Sequence, residues 1–115
     1  MCIRDRFCIT ADYTPQAITA MRSDPNTDRR QAVERLLEAA GGKLIAMYGR
    51  VENGPGVMVI FEADDPNMVP AITGVFASSG AAQNLHIQRL LVQDDLVAIR
   101  QNAARIANAF KPPGQ

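Results

Sequence analysis

Apolar residues concentrate in two short runs, residues 44–51 and 57–62, separated by Glu52-Asn53-Gly54-Pro55-Gly56. The runs are too short and too rich in Val, Ile and Met for helices, and a turn segment joins them, so they predict the hairpin at the centre of a small antiparallel sheet. Upstream, Phe7, Ile9, Ala11 and Tyr13 alternate with Cys8, Thr10 and Asp12, the two-residue period of a strand over 7–13. Thr14-Pro15 supplies a capping hydroxyl and then a proline whose missing N–H costs nothing in a first helical turn, which predicts a short helix over 15–22. Ser23-Asp24-Pro25-Asn26 breaks that helix, and Thr27-Asp28 opens a stronger one. This second helix carries Ala32, Val33, Leu36, Leu37 and Ala40 on one face, with Arg29, Arg30, Glu34 and Glu38 opposite. Gly41-Gly42 ends it by allowing positive φ.

Beyond the hairpin, Pro70 fixes where the next helix begins. With Asn67 as its cap the proline falls in the first turn, whereas a start at Asp65 forfeits a hydrogen bond; the helix is therefore expected over 67–76, with Met68 or Val69, Ile72, Val75 and Phe76 toward the sheet. Ser78-Ser79-Gly80 closes it. A last strand over 84–92 places Leu85, Ile87 and Leu91 on one parity and His86, Gln88, Leu90 and Val92 on the other. Asp94-Asp95 then caps a helix over 93–110 in which Leu96, Ile99, Ala103, Ile106 and Phe110 recur at helical spacing, and 111–115 is expected to be a disordered tail. Residues 1–6 break the strand pattern with charge and resemble translated adapter sequence, so they are expected to be a non-native or disordered extension.

The order strand, helix, strand, strand, helix, strand is the split βαβ arrangement: an α+β, ferredoxin-like βαββαβ antiparallel sheet with an added C-terminal helix. A chain of 115 residues fits one such domain, over 7–92. Both helices cover one face of the sheet. On the other, Ile45, Met47, Val51, Met58, Ile60, Leu90 and Val92 offer more apolar surface than a monomer ordinarily leaves in water. Either the final helix or a second copy is expected to cover it, and the second copy is favoured.

Charge narrows the partners. Twelve Lys and Arg against twelve Asp and Glu leave no net field to attract nucleic acid or an anionic membrane. No apolar run reaches the length of a membrane span, and a cytoplasmic protein is expected. Cys2 and Cys8, with one His in the chain, lack the spacing and company of a zinc site, so neither a metal nor a cofactor is expected.

Three stretches carry a resemblance: Thr10-Ala11-Asp12-Tyr13-Thr14-Pro15, residues 37–44 from Leu37 through Gly41-Gly42 to Leu44, and the hairpin leading into Val57-Met58-Val59-Ile60-Phe61-Glu62, followed by Ser78-Ser79-Gly80. Together, from about residue 7 to 92, they resemble the GYD-domain family of the dimeric α/β-barrel superfamily. That resemblance implies a homodimer and no established general activity. Where the family has its Gly-Tyr-Asp at the hairpin this chain has Gly54-Pro55-Gly56, so no role of that Tyr and Asp carries over.

Candidate chemistry lies where the first and last strands are neighbours, with Thr10 and Asp12 beside His86 and Gln88, facing the space between two subunits. A His with a nearby Asp suits proton transfer near neutral pH, with a satisfied polar patch in the interface as the plainer reading. Tyr48, Met47 and Met58 complete the ligand-pocket candidates, with packing the commoner use of each. Gly54-Pro55-Gly56 lacks the Lys and following helix of a phosphate loop, and no serine sits in a nucleophile elbow. The sequence therefore favours a homodimeric binding or regulatory module holding a small apolar molecule in the inter-sheet cavity. The alternatives are a cofactor-free enzyme, monooxygenase- or isomerase-like, using His86 and Asp12, and a purely structural dimer.

Overall fold

The computed structural model describes residues 5–114. Four strands, β1 (Asp5–Tyr13), β2 (Gly42–Arg50), β3 (Gly56–Ala63) and β4 (Ala82–Leu90), form one antiparallel sheet in the order β2-β3-β1-β4. Helices α1 (Pro15–Ser23) and α2 (Arg29–Ala39) make the first crossover, α3 (Met68–Ser78) makes the second, and α4 (Gln93–Ile106) follows β4 with a 3₁₀ turn over Ala107–Ala109. This is the expected ferredoxin-like architecture with its added C-terminal helix.

Local chemistry sets the helix starts. The Thr14 hydroxyl accepts from the Ala17 N–H ahead of Pro15, and the Asp28 carboxylate accepts from the Gln31 N–H ahead of α2. At α3, Asn67 is the cap residue but makes no side-chain bond; its own N–H donates instead to the Asp65 carboxylate. Thr14 also donates to the Gly80 carbonyl at 2.6 Å, which joins the start of α1 to the segment entering β4.

The core is the helix-side parity of the sheet. Phe7, Ile9 and Ala11 of β1, Val59, Phe61 and Ala63 of β3 and Leu44 of β2 are buried against Val33 and Leu37 of α2 and Val69 and Ile72 of α3. The Phe7 and Phe61 rings stack with centroids 5.7 Å apart.

Three expectations are corrected here. Strand β1 starts at Asp5, not Phe7, because Arg6 pairs with Glu62 and Asp5 with Arg89 across the sheet; residues 1–4 lie outside the described residues. Strand β4 spans Ala82–Leu90, two residues earlier than expected, so Val92 belongs to the link into α4. Most consequential, β2 carries an extra residue between Leu44, opposite Phe61, and Ala46, opposite Ile60. That bulge at Ile45 shifts the parity, so Met47 pairs with Val59 and packs on the helix-side core rather than facing away from it.

Helix α4 stands apart. None of its residues is buried, and it packs substantially on neither the sheet nor the other helices. The molecule is consequently 59 Å long with a radius of gyration of 18.0 Å, against about 13 Å for a compact chain of this size.

Two substitutions test the packing. Leu37→Ala is expected to cost about 2–5 kcal/mol in urea unfolding, as a buried leucine lost from a close-packed core does. Gly42→Ala would put a Cβ 2.6 Å from the Glu62 carbonyl oxygen and is expected to cost about 1–3 kcal/mol. Gly49→Ala, which meets nothing within 4 Å, should leave stability within about 0.5 kcal/mol of the parent.

Candidate functional site

The face of the sheet turned away from α2 and α3 is uncovered by the chain's own helices, and strand register organises it into rows. Across the middle run Tyr48 of β2, Met58 of β3, Thr10 of β1 and His86 of β4. One row further along lie Ala46, Ile60, Cys8 and Gln88, and beyond them Lys43, Glu62, Arg6 and Leu90. Tyr48 is 60% exposed, Met58 39% and Leu90 36%, so the centre of this face is apolar and open while its ends are charged.

The row on the other side of Tyr48 holds the best-built polar group in the molecule. Arg50, at the end of β2, reaches across β3 to the Asp12 carboxylate on β1, and the strand it crosses carries Gly56 at that position. A Cβ on Gly56 would lie 2.5 Å from the guanidinium and 2.5 Å from the Ala11 carbonyl oxygen, so only glycine lets the arginine pass. The Gly54 carbonyl accepts from Arg50 Nε at 3.4 Å, and the Pro55 carbonyl accepts from the Tyr13 N–H at 3.0 Å. These bonds tie the hairpin turn to the end of β1.

Asn84 supplies the other half. Thr10 is opposite His86 but Asp12 is opposite Gln83, so β4 carries one extra residue, and Asn84 takes φ +54° there. The bulge turns its amide toward Asp12, and Nδ2 donates to the second carboxylate oxygen at 3.0 Å. With Arg50 on Oδ1 and Asn84 on Oδ2, the Asp12 carboxyl is held below the ordinary aspartate range, first by the Asn84 hydrogen bond and then by Arg50, with a smaller contribution from the charge of His86.

Of the candidates read from the sequence, the structure brings Thr10, Asp12, Tyr48, Met58, His86 and Gln88 onto this one face, and places Met47 on the other. Asp12 and His86 share the site without a direct hydrogen bond among the described contacts, and the carboxylate oxygens accept from Arg50 and Asn84. Arg50 and Asn84 are not among the residues singled out from the sequence, although Asn84 shares the parity of His86 and Gln88. A glycine placed so that an arginine can pass over it to an aspartate was the available signal for the first, but only register reveals it. Cys8 is buried mid-sheet, and burial raises its thiol pKa, so it is a poor nucleophile. Among the described residues, no three His, Cys, Asp or Glu side chains converge as a metal ion requires, and no helix is long and apolar enough to cross a membrane. A concavity of about 410 Å³ lies at the far end of the same face, lined by Asp5, Arg6, Glu62, Leu90, Leu91 and Val92, and the sequence candidates line none of it.

Asp12 gives the site a pH signature. Its carboxyl is depressed in the folded state, so its stabilising contribution is present above the unfolded aspartate pKa of about 3.9 and is lost as pH falls through the lower folded value. Urea midpoints measured from pH 6 to pH 2.5 should therefore fall less steeply with acid in Asp12→Asn than in the parent.

No curated protein matches the chain significantly. Solved structures that share the fold include the C-terminal domain of the MgtC protein from Mycobacterium tuberculosis and 30S ribosomal protein S6 from Thermotoga maritima. The first is 8% identical with a TM-score of 0.56, over 76% of this chain and 88% of that one. The second is 12% identical with a TM-score of 0.52, over 89% of this chain and 99% of that one. At such identities the likeness concerns the fold alone. The sequence profile of the GYD domain matches residues 7–99, the whole sheet with its helices and the first half of α4, and the chain therefore belongs to the GYD-domain family.

Proposed function

We propose that the protein is a homodimeric binding or regulatory module that holds a small apolar molecule between the open sheet faces of two copies. The observation that carries this reading is the uncovered row of Tyr48 and Met58 beside Ile60 and Leu90, on the side of the sheet that receives no helix of its own chain. Water at such a surface is displaced favourably by any apolar partner of matching shape.

A second copy is the natural cover because the face is close to self-complementary. Its centre is apolar, and its far end carries Lys43, Glu62 and Arg6, charges of both signs that a two-fold axis can oppose. Thr10 and His86, in the same row as Met58 and Tyr48, supply the few polar contacts that orient a ligand in an otherwise apolar cavity. The Arg50–Asp12–Asn84 group closes one end of the cavity and keeps the strands in register.

Native mass spectrometry tests both halves of the proposal, because it reports subunit number and retained small molecules together. The expected result is a dimer carrying extra mass in the small-molecule range. Met58→Glu, which places a charge at the centre of the face without touching the helix-side core, should give a monomer with an unchanged circular dichroism spectrum and no retained mass. A parent protein that is monomeric at micromolar concentration overturns the dimer. A dimer that never carries or takes up an apolar probe such as a naphthalene dye overturns the ligand.

A further inference from the structure

Helix α4 has an apolar stripe with nothing to pack against. Leu96, Ile99, Ala103 and Ile106 fall on one side of it, Ile99 is 49% exposed and Ile106 60%, and these side chains are shielded mainly by their own helical neighbours. A lone helix of 14 residues is marginal in water, so its apolar side requires a partner. The junction with β4 is short and built. Only Leu91 and Val92 separate the two elements, and the Val92 N–H donates to the Asp95 carboxylate while its carbonyl accepts from the Leu96 N–H. These bonds cap the first turn of the helix, which leaves two residues after the strand and is directed away from its own domain.

The apolar surface is continuous across this junction. It runs from Leu90 on the open face through Leu91 and Val92, which is 67% exposed, to Leu96 on the helix, past the 410 Å³ concavity at the root of α4.

Area decides what such a surface is for. Four strands about 4.8 Å apart and nearly thirty ångströms long present roughly 500 Å² on the open face. Two faces meeting then bury roughly 1,000 Å², below the approximately 1,200–2,000 Å² of a stable interface. An arm about 21 Å long and 10 Å wide adds roughly 200 Å² on itself and as much on whatever it covers. A pair of arms thus lifts the total to roughly 1,800 Å², well inside the stable range.

We propose that α4 is an exchanged arm: each copy lays the Leu96–Ile99–Ile106 stripe against the other, extending the sheet-to-sheet interface to a size that holds. This rests on the dimer proposed above and identifies the part of the chain that makes it durable.

The test uses the full chain in two forms. Ile99→Glu together with Ile106→Glu charges the stripe without touching the domain, so the circular dichroism spectrum and thermal midpoint of the sheet domain should be kept. The dimer dissociation constant should rise at least about tenfold, as expected when a buried apolar anchor is lost. In the second form, a photoreactive benzophenone replaces Ala103, on the stripe itself, in an otherwise unchanged chain, and isotopically heavy and light copies are mixed before irradiation. Cross-linked peptides joining heavy to light chains support the exchange. If the parent is dimeric and the charged variant dimerises equally tightly, or cross-links form only within one chain, the arm is overturned while the sheet-to-sheet dimer stands. If the parent is monomeric, both proposals fall together.

Discussion

Strand β1 is hydrogen-bonded on both sides, to β3 and to β4, and a strand in that position has no edge left for water. Its side chains must therefore divide strictly between two environments. Phe7, Ile9 and Ala11 go to the helices, where Leu37, Val33, Val69 and Ile72 bury them, and Cys8, Thr10 and Asp12 go to the other face. Neighbouring strands are bound by the same two-residue period, so every residue's environment follows from its register against β1. The rows of the open face are the direct result, and the juxtaposition of Thr10 with His86 exists only because β4 pairs with β1 across the whole intervening domain.

The period is broken twice, and each break matters to the site. The bulge at Ile45 lets β2 give Leu44 and Met47 to the core while still presenting Tyr48 and Arg50 to the open face. The bulge at Asn84 pairs Asp12 with Gln83 instead and leaves the Asn84 side chain free to hydrogen-bond the Asp12 carboxylate. Gly56 plays the complementary part by being empty, since the passage of Arg50 over β3 depends on the missing Cβ. Arg50, Asp12 and Asn84 thus join three strands at one end of the sheet. As a partly exposed pair, Arg50–Asp12 adds geometry more than stability.

At the other end of the sheet the chain is arranged for outward contact. The α2 and α3 layer buries the helix-side residues of β1 and most of those of β3, and α4 leaves from the edge strand instead of returning over the second face. A domain of this size has enough apolar residues for more than one core layer, and the surplus is divided between the open face and the α4 stripe. The two surfaces meet at Leu90 and Val92, so a single partner can cover both.

The elements and their order follow from local sequence signals. Strand alternation at 7–13, the Thr14-Pro15 and Thr27-Asp28 helix starts, Gly41-Gly42 at the end of α2 and the position of Pro70 are local signals, each acting within a few residues, and local chemistry is what a sequence records directly. The resemblance to the GYD domain was legible for the same reason, since it lies in the residues that make the turns and the core. The candidate site was half legible: alternation put Thr10, Asp12, His86 and Gln88 on one parity but could not pair Asp12 with Arg50 and Asn84. It also misassigned Met47, because one unpaired residue inverts every position after it and nothing local to Ile45 announces the bulge. Only the tertiary structure decided which strand neighbours which, where register slips and whether α4 turns back. Those choices are fixed by contacts between residues as many as 84 positions apart, whose free energy is the difference between competing pairings and is written in no single stretch of the chain.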